Sequence, residues 1–213
     1  KRTAIYKSKK TSLPNRIIKL LNNEEYLTST LELLVVFLSH SSELDNLFFE
    51  ERIDKVLVQI LYLQNQKKDF SILGNLFLIS KFFIERSNKF CHYLFEDNFF
   101  DLFPFIFEEE MIDDYDNDIN EVMASLLNST SKYDDLLPLE IQIILGMVKD
   151  YLLESSNSKI ANYGLEILSR LSIQTLDVEN MLKDGNIIHN LCSFISTETE
   201  LNFLIQIIKF LSL

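Results

Sequence analysis

Residues 163–172 of the chain read YGLEILSRLS, and this stretch decides the fold because similar phrases recur along the sequence. Residues 201–211 read LNFLIQIIKFL, and residues 31–39 read LELLVVFLS. Each phrase spaces its apolar residues as an amphipathic helix does. A helical phrase that returns at intervals is typical of repeat proteins, in which no unit buries its apolar face alone and neighbouring units stack.

Two helix positions give the same repeat interval. In the long helix of each unit, the apolar residues that we align are 44, 45, 44 and 40 residues apart, namely Leu38, Phe82, Leu127, Leu171 and Leu211. In the last helix of each unit the intervals are 40, 45, 46 and 43 residues, and the positions are Leu21, Leu61, Ile106, Leu152 and Ile195. These positions are predicted to be buried.

The composition favours helices over strands. Hydrophobic residues make up 47% of the 213 residues, whereas the chain has only four glycines and three prolines. Little material is left for hairpins or for glycine-rich nucleotide loops. Because no two of Gly74, Gly146, Gly164 and Gly185 lie close in sequence, a phosphate-binding loop is disfavoured. The sequence therefore predicts an all-α protein without an enzymatic signature.

The apolar spacing also predicts where helices lie. We expect them at 14–21, 26–38, 43–49, 51–62, 70–84, 90–95, 119–127, 139–153, 158–171, 178–183 and 187–195, and a fifth unit from Glu198. A further helix should end at Phe107 with Asp97, Asn98 or Asp101 as its cap, so that Pro104 falls in the first turn if Asp101 is the cap.

Two segments of the fourth unit resemble the armadillo repeat family. Residues 162–171, NYGLEILSRL, are similar to the second helix of that family, and residues 181–191, MLKDGNIIHNL, to its glycine turn and the start of its third helix. Gly185 stands where such a repeat carries its turn glycine. The resemblance implies a right-handed α-solenoid of about four to five armadillo-like repeats, whose third helices line a groove for extended peptides or helices.

The domain organisation follows from this resemblance. We expect a basic tail at residues 1–12 and one armadillo-like repeat domain at 13–213, as a fragment that ends within its last repeat. Aligning the last helices of the units on Leu21, Leu61, Ile106 and Ile195 directs a set of side chains toward the groove. These candidate binding residues are Lys19, Lys55, Gln59, Asp101, Phe105, His189 and Ser193.

The aromatic run at residues 99–107, FFDLFPFIF, supports one of these candidates. It holds more aromatic bulk than one helix face buries. If Leu102, Phe103, Ile106 and Phe107 face the core, Phe105 is left near the groove, where exposed aromatics often anchor partners. Packing against an adjacent repeat is the alternative interpretation.

The charge distribution along the chain indicates which kinds of partner it could bind. The net charge is −12, yet five of the basic residues lie within the first ten, so the rest of the chain is strongly acidic. This disfavours direct binding of nucleic acid, which needs a basic face, and would attract a partner with a basic or extended segment. The tail could be a nuclear localisation signal, could fold against acidic helix faces, or could be a disordered flank.

We predict no metal, cofactor or membrane span. The acidic run at 108–118 resembles a calcium loop only in part, because Ile119 and Ser125 stand where such a loop needs Gly and Glu. His40, His92 and His189 are far apart, with His189 on the outward side of its helix. Cys91 and Cys192 lie in apolar helical phrases, where cysteine behaves as a small hydrophobe, which favours a reducing compartment and a cytoplasmic or nuclear location.

The function that this pattern favours is non-enzymatic: a scaffold or adaptor that binds a protein along its concave groove. The alternative is a transport or regulatory factor of the armadillo type, either a nuclear import adaptor or a nucleotide exchange factor for an Hsp70 chaperone. An import adaptor should bind basic peptides, and an exchange factor should accelerate nucleotide release from the chaperone.

Overall fold

A computed structural model describes residues 13–43, 45–67, 70–108, 116–171, 185–196 and 201–211. Within these ranges the regular structure is helical, and no strand is present. The predicted all-α class is confirmed. The chain divides after Phe99 into two compact units, and each is described separately below.

In the described part of unit 1, six helices follow one another along the chain. Its helices are α1 Leu13–Leu21, α2 Leu27–His40, α3 Asp45–Glu50, α4 Ile53–Lys67, α5 Phe70–Ile84 and α6 Asn88–Glu96. The side chain of Ser87 caps α6 by accepting a hydrogen bond from the backbone N–H of Phe90. This satisfies one of the donors that the first turn of a helix leaves unpaired.

Unit 2 begins within a 3-10 turn, Phe99–Leu102. Its helices are α7 Phe103–Glu108, α8 Asp116–Thr130, α9 Pro138–Met147, α10 Ser158–Leu171, α11 Gly185–Ser196 and α12 Leu201–Leu211. A π-helical turn, Val148–Leu152, continues α9. Pro104 lies in the first turn of α7, where its missing N–H removes no helical hydrogen bond.

The long helices begin at a regular interval. α2, α5, α8, α10 and α12 start at Leu27, Phe70, Asp116, Ser158 and Leu201, which are 43, 46, 42 and 43 residues apart. In unit 1, the contact between α2 and α5 is the most extensive; in unit 2, α10 packs on α8 and also on α12. Successive long helices within each unit therefore bury their apolar faces against one another.

The side chain of Leu211 lies outside the described residues, and the core follows the predicted register at seven of the other nine positions. Leu38, Leu127 and Leu171 are buried as predicted, as are Leu21, Leu61, Ile106 and Leu152. Phe82 is only half-buried, whereas its neighbour Phe83 is fully buried. Ile195 is 45% exposed, whereas Phe194 is buried. The two predictions were wrong by one residue because each falls on a pair of adjacent large apolar residues.

Several smaller predictions are also corrected. Cys91 is buried, but Cys192 is exposed and does not act as a core residue. Gly185 begins α11 rather than lying in a turn before it. The helix predicted at 139–153 is α-helical only as far as Met147 and then continues as the π-helical turn. The basic tail, most of the acidic run at 108–118, the helix at 178–183 and Glu198 lie outside the described residues.

Aromatic rings form the centre of unit 1. Phe83 on α5 meets Phe90, Phe49 and Phe48 at ring-centroid distances of 5.1, 5.3 and 5.8 Å. Phe49 also contacts Phe90 at 5.3 Å. These four residues, the aromatic cluster, join α3, α5 and α6. Tilted and edge-on ring pairs at such distances add to the free energy of simple burial.

Arginine side chains tie the ends of neighbouring long helices together in both units. Arg86, just after α5, donates to the backbone carbonyls of Leu38 and Ser41 at the end of α2. Arg170, at the end of α10, donates to the backbone carbonyl of Asn128 near the end of α8. Carbonyls in the last turn of a helix have no intrahelical donor and lie at the negative end of the helix dipole. Each arginine satisfies such carbonyls.

Arg170 also organises buried side chains. Its Nη1 donates to Asn128 Oδ1 at 2.6 Å and to Ser131 Oγ at 2.8 Å, and its Nη2 lies 3.3 Å from Glu166 Oε2. Asn128 in turn donates to Glu166 at 2.8 Å. Because Asn128 and Ser131 are buried, losing the arginine would leave polar atoms without their donor.

We expect Arg170→Met to lower the free energy of unfolding by about 1–2 kcal/mol, the usual cost of leaving buried acceptors unsatisfied. Lys159→Met is the matched control, because Lys159 is 70% exposed and pairs with Glu121 on the surface. Removing such a surface pair should change stability by about 0.5 kcal/mol or less. Urea unfolding followed by circular dichroism measures both, and equal effects would contradict the assigned role of Arg170.

Candidate functional site

All seven candidate binding residues have exposed side chains. In unit 1, Lys55 and Gln59 lie one turn apart on α4, and Lys19 lies on α1, a helix that contacts α4. In unit 2, Asp101 and Phe105 are one turn apart across the start of α7, and His189 and Ser193 are one turn apart on α11. The structure thus groups the candidates by unit, and their binding role stays a prediction.

Lys55 lies beside a charged cluster that the sequence did not reveal. Arg52, in the turn before α4, donates from Nη2 to Asp54 at 2.7 Å and to Asp97 at 3.2 Å. Its Nε also donates to Asp54 at 2.9 Å. The guanidinium carbon stands 4.3 Å from the centroid of the Tyr93 ring. This Arg52 cluster links the start of α4 to the end of α6.

The backbone at Arg52 is unusual, which singles the cluster out. Its φ is 54°, in the left-handed region that residues other than glycine seldom adopt. Such a conformation persists when surrounding contacts hold it, and it is enriched at functional positions. Here the buried, fully inaccessible Asp54 and the more exposed Asp97 hold the guanidinium.

The pKa of Asp97 in the Arg52 cluster is raised. Burial raises the pKa of Asp97, and the hydrogen bond and charge of Asp54 raise it further, while Arg52 and Lys55 act in the opposite direction. The hydrogen bond with Asp54 raises the pKa of Arg52, so the guanidinium stays charged. Lys55 is therefore close enough to act electrostatically on Asp97.

An open cleft of about 490 Å³ borders this cluster. Its lining residues, which define the Arg52 cleft, are Asn46, Phe49, Glu50, Arg52, Ser87, Lys89, Phe90 and Tyr93. The ammonium group of Lys89 lies 5.4 Å from the centroid of Tyr93. An apolar wall with charged groups around it is suited to noncovalent recognition.

In unit 2, α7 carries the exposed candidate Phe105 and, through Phe107, borders a second cleft. Phe105 is 58% exposed, whereas Phe103 and Ile106 on the same helix are buried. Phe107, two residues further on, stacks on Tyr151 with a centroid distance of 5.1 Å and an angle of 10° between the ring planes. The adjoining space of about 290 Å³ is the Tyr151 cleft, lined by Phe107, Asn120, Asp150, Tyr151, Glu154, Ser155, Ser156 and Ile160.

The three histidines lie on three different helices, α2, α6 and α11. His40 ends α2, where its Nδ1 lies 2.6 Å from Ser39 Oγ and 3.0 Å from the carbonyl oxygen of Val36. His92 is half-buried on α6, and His189 is exposed on α11. Within the described ranges, no group of three or more His, Cys, Asp or Glu side chains is arranged to hold a metal ion.

Neither a protein-family model nor a curated protein matches this sequence. The resemblance to armadillo repeats therefore stays a prediction. In the part of the chain that the structure describes, no helix combines the length and the apolar character that crossing a membrane requires.

Sequence reasoning found exposed residues but missed both clefts. The Arg52 cluster joins residues 45 positions apart, a separation close to the repeat interval. This spacing was the available signal, because in a repeat fold residues one interval apart would occupy equivalent places in neighbouring repeats. The Tyr151 cleft depends on the π-helical turn, whereas the sequence predicts one continuous helix at 139–153.

Proposed function

We propose that this chain is a non-enzymatic protein-interaction module, built as a right-handed armadillo-like solenoid of about four to five repeats. Its partner would bind along the last helices of the repeats, through the surface that carries the seven candidate residues. The proposal extends to a scaffold or adaptor role, in which the chain presents that surface to another protein.

The observation that carries the proposal is the repeated packing of the long helices. Their starting points recur every 42–46 residues, and α2 packs on α5 as α10 packs on α8 and α12. Repeat proteins stack units in this way and present extended surfaces to other proteins. The equivalent use of Arg86 and Arg170 at the ends of long helices supports a repeated unit.

The character of the exposed candidates supports the binding surface. Phe105 exposes a large aromatic side chain although Phe103 and Ile106 on the same helix are buried. Aromatic residues dominate the binding energy of many protein interfaces. Lys55 and Gln59 offer a charge and an amide on one face of α4, as polar groups around an interface do.

We expect Lys55→Glu and Phe105→Ala to reduce partner capture by about tenfold each, because an interface anchor contributes about 1–2 kcal/mol or more. The chain would be immobilised and exposed to an extract of its native source. Mass spectrometry would identify the proteins that bind, and the recovery of each protein would be compared between variants. Circular dichroism should show that both variants remain folded.

Matched controls separate this surface from general effects. Leu137 has the same exposed fraction as Phe105, 58%, so Leu137→Ala removes comparable apolar surface elsewhere. Lys132 is exposed, and Lys132→Glu repeats the charge reversal. Both controls should capture the partner normally. If Lys55→Glu and Phe105→Ala also recover every partner at the level of the unmodified chain, the proposed surface is wrong.

A further inference from the structure

The Tyr151 cleft combines an aromatic wall with carboxylates. Phe107 and Tyr151 stack nearly parallel, and Asp150 and Glu154, both exposed, border the same space. The remaining polar lining consists of Asn120, Ser155 and Ser156. Among the described residues, the charged groups that line this cleft are both acidic.

Local packing holds these groups in place. The π-helical turn Val148–Leu152 carries Asp150 and Tyr151, and the side chains of Leu152 and Leu153 immediately after them are both fully buried. Gly164 on α10 permits close approach, since a Cβ there would lie 3.0 Å from Leu153 Cδ2 and 3.2 Å from Leu152 Cβ. π-Helical turns often occur at functional sites, and here the turn is anchored from behind.

The neighbouring lysines do not cancel the negative charge of the cleft. Lys159, next to the lining residue Ile160, pairs with Glu121 at 3.3 Å, so its charge is already matched. Lys149 is half-buried beside Asp150 in the π-helical turn, and it offsets one carboxylate at most. Unit 2 therefore presents a small concave site where a positive charge would be attracted.

We propose that the Tyr151 cleft binds a lysine or arginine side chain of a protein partner. Its cationic head would lie between the carboxylates of Asp150 and Glu154, and its aliphatic stem would pack on the rings of Phe107 and Tyr151. Cations are attracted to aromatic faces and form strong charge-assisted hydrogen bonds with carboxylates. This inference rests on the proposed function and names the chemistry of one segment of the partner.

A labelled peptide of about ten residues, with three lysines separated by glycine and serine, is the probe. Fluorescence anisotropy should show saturable binding that weakens as NaCl is raised, because salt screens exposed charges. The combined Asp150→Asn and Glu154→Gln variant should bind about tenfold more weakly. The same peptide with glutamine in place of lysine should not bind.

Controls test each feature of the cleft. The control pair is Glu32→Gln combined with Glu43→Gln, at two exposed positions in unit 1. It changes the net charge by as much as the cleft pair does and should leave peptide binding unchanged. Tyr151→Phe keeps the ring and should bind as the unmodified chain does, whereas Tyr151→Leu should weaken binding by about threefold or more. Circular dichroism and thermal unfolding of each variant check that the fold is retained.

Three results would overturn the inference. The first is that the lysine peptide shows no saturable binding. The second is that the cleft pair and the control pair of substitutions weaken peptide binding equally. The third is that free spermidine binds as tightly as the peptide. The last would assign the site to small polyamines rather than to a protein segment. The two proposals can fail separately. If Lys55→Glu and Phe105→Ala lose native partners but the lysine peptide does not bind, the cleft proposal is refuted and the proposed function stands.

Discussion

Replacing Phe83 with alanine lowers the free energy of unfolding by about 3–5 kcal/mol, the usual cost of deleting a fully buried phenylalanine. Phe83 is inaccessible to solvent and touches three rings of the aromatic cluster, Phe48, Phe49 and Phe90. Its loss removes buried apolar surface and leaves a cavity that the surrounding rings can fill only in part. Urea unfolding followed by far-ultraviolet circular dichroism measures the effect.

The adjacent Phe82 is the matched control, with identical chemistry one residue away. Phe82 is half-buried, and the guanidinium carbon of Arg86 lies 5.7 Å from its ring centroid. Phe82→Ala should therefore lower the free energy of unfolding by only about 1 kcal/mol. The repeat alignment of the sequence places Phe82 in the core. A larger loss of stability for Phe82→Ala than for Phe83→Ala would therefore support that alignment and contradict the observed packing.

Gly164→Val should lower the free energy of unfolding by about 3 kcal/mol, since overpacking costs about 1–3 kcal/mol and occasionally more. A Cβ at this position already meets Leu152 and Leu153 at 3.0–3.2 Å. The two further methyl groups of valine would force α10 away from the π-helical turn. Thermal unfolding should show the loss as a lower Tm.

Gly146 on α9 gives the opposite expectation. A Cβ there meets no atom within 4 Å, so Gly146→Ala adds no clash. Alanine also has the higher helix propensity, and the substitution should raise the free energy of unfolding by about 0.5–1 kcal/mol. Stabilisation by Gly164→Val and destabilisation by Gly146→Ala together would show that the assigned packing of α9 and α10 is wrong.

Most of the helical pattern could be predicted from local sequence. The predicted helix at 158–171 has the observed bounds of α10, and that at 70–84 has those of α5. In both, polar residues or turn signals flank a clear apolar periodicity, which local spacing alone can report. The exposure of the candidate residues follows from the same periodicity, since a helix that buries one face exposes the other.

The exact core positions were less predictable. At Phe82–Phe83 and Phe194–Ile195, two large apolar residues are adjacent, and both satisfy a broad apolar face. Which one becomes buried depends on how the neighbouring helix crosses, and periodicity within one helix carries no information on that crossing. The π-helical turn after α9 was missed because propensities do not distinguish it from an α-helix.

The order of residues along the chain is enough to specify an all-helical protein, the interval at which its long helices recur, and the polar faces on which the candidate binding residues lie. These features depend on residues a few positions apart, so local spacing carries them. Helix packing, in contrast, selects Phe83 over Phe82 for the core, joins Asp54 to Asp97 through Arg52, and brings Phe107 against Tyr151 beside two carboxylates. Those contacts join residues from different helices, and their geometry depends on how whole helices cross.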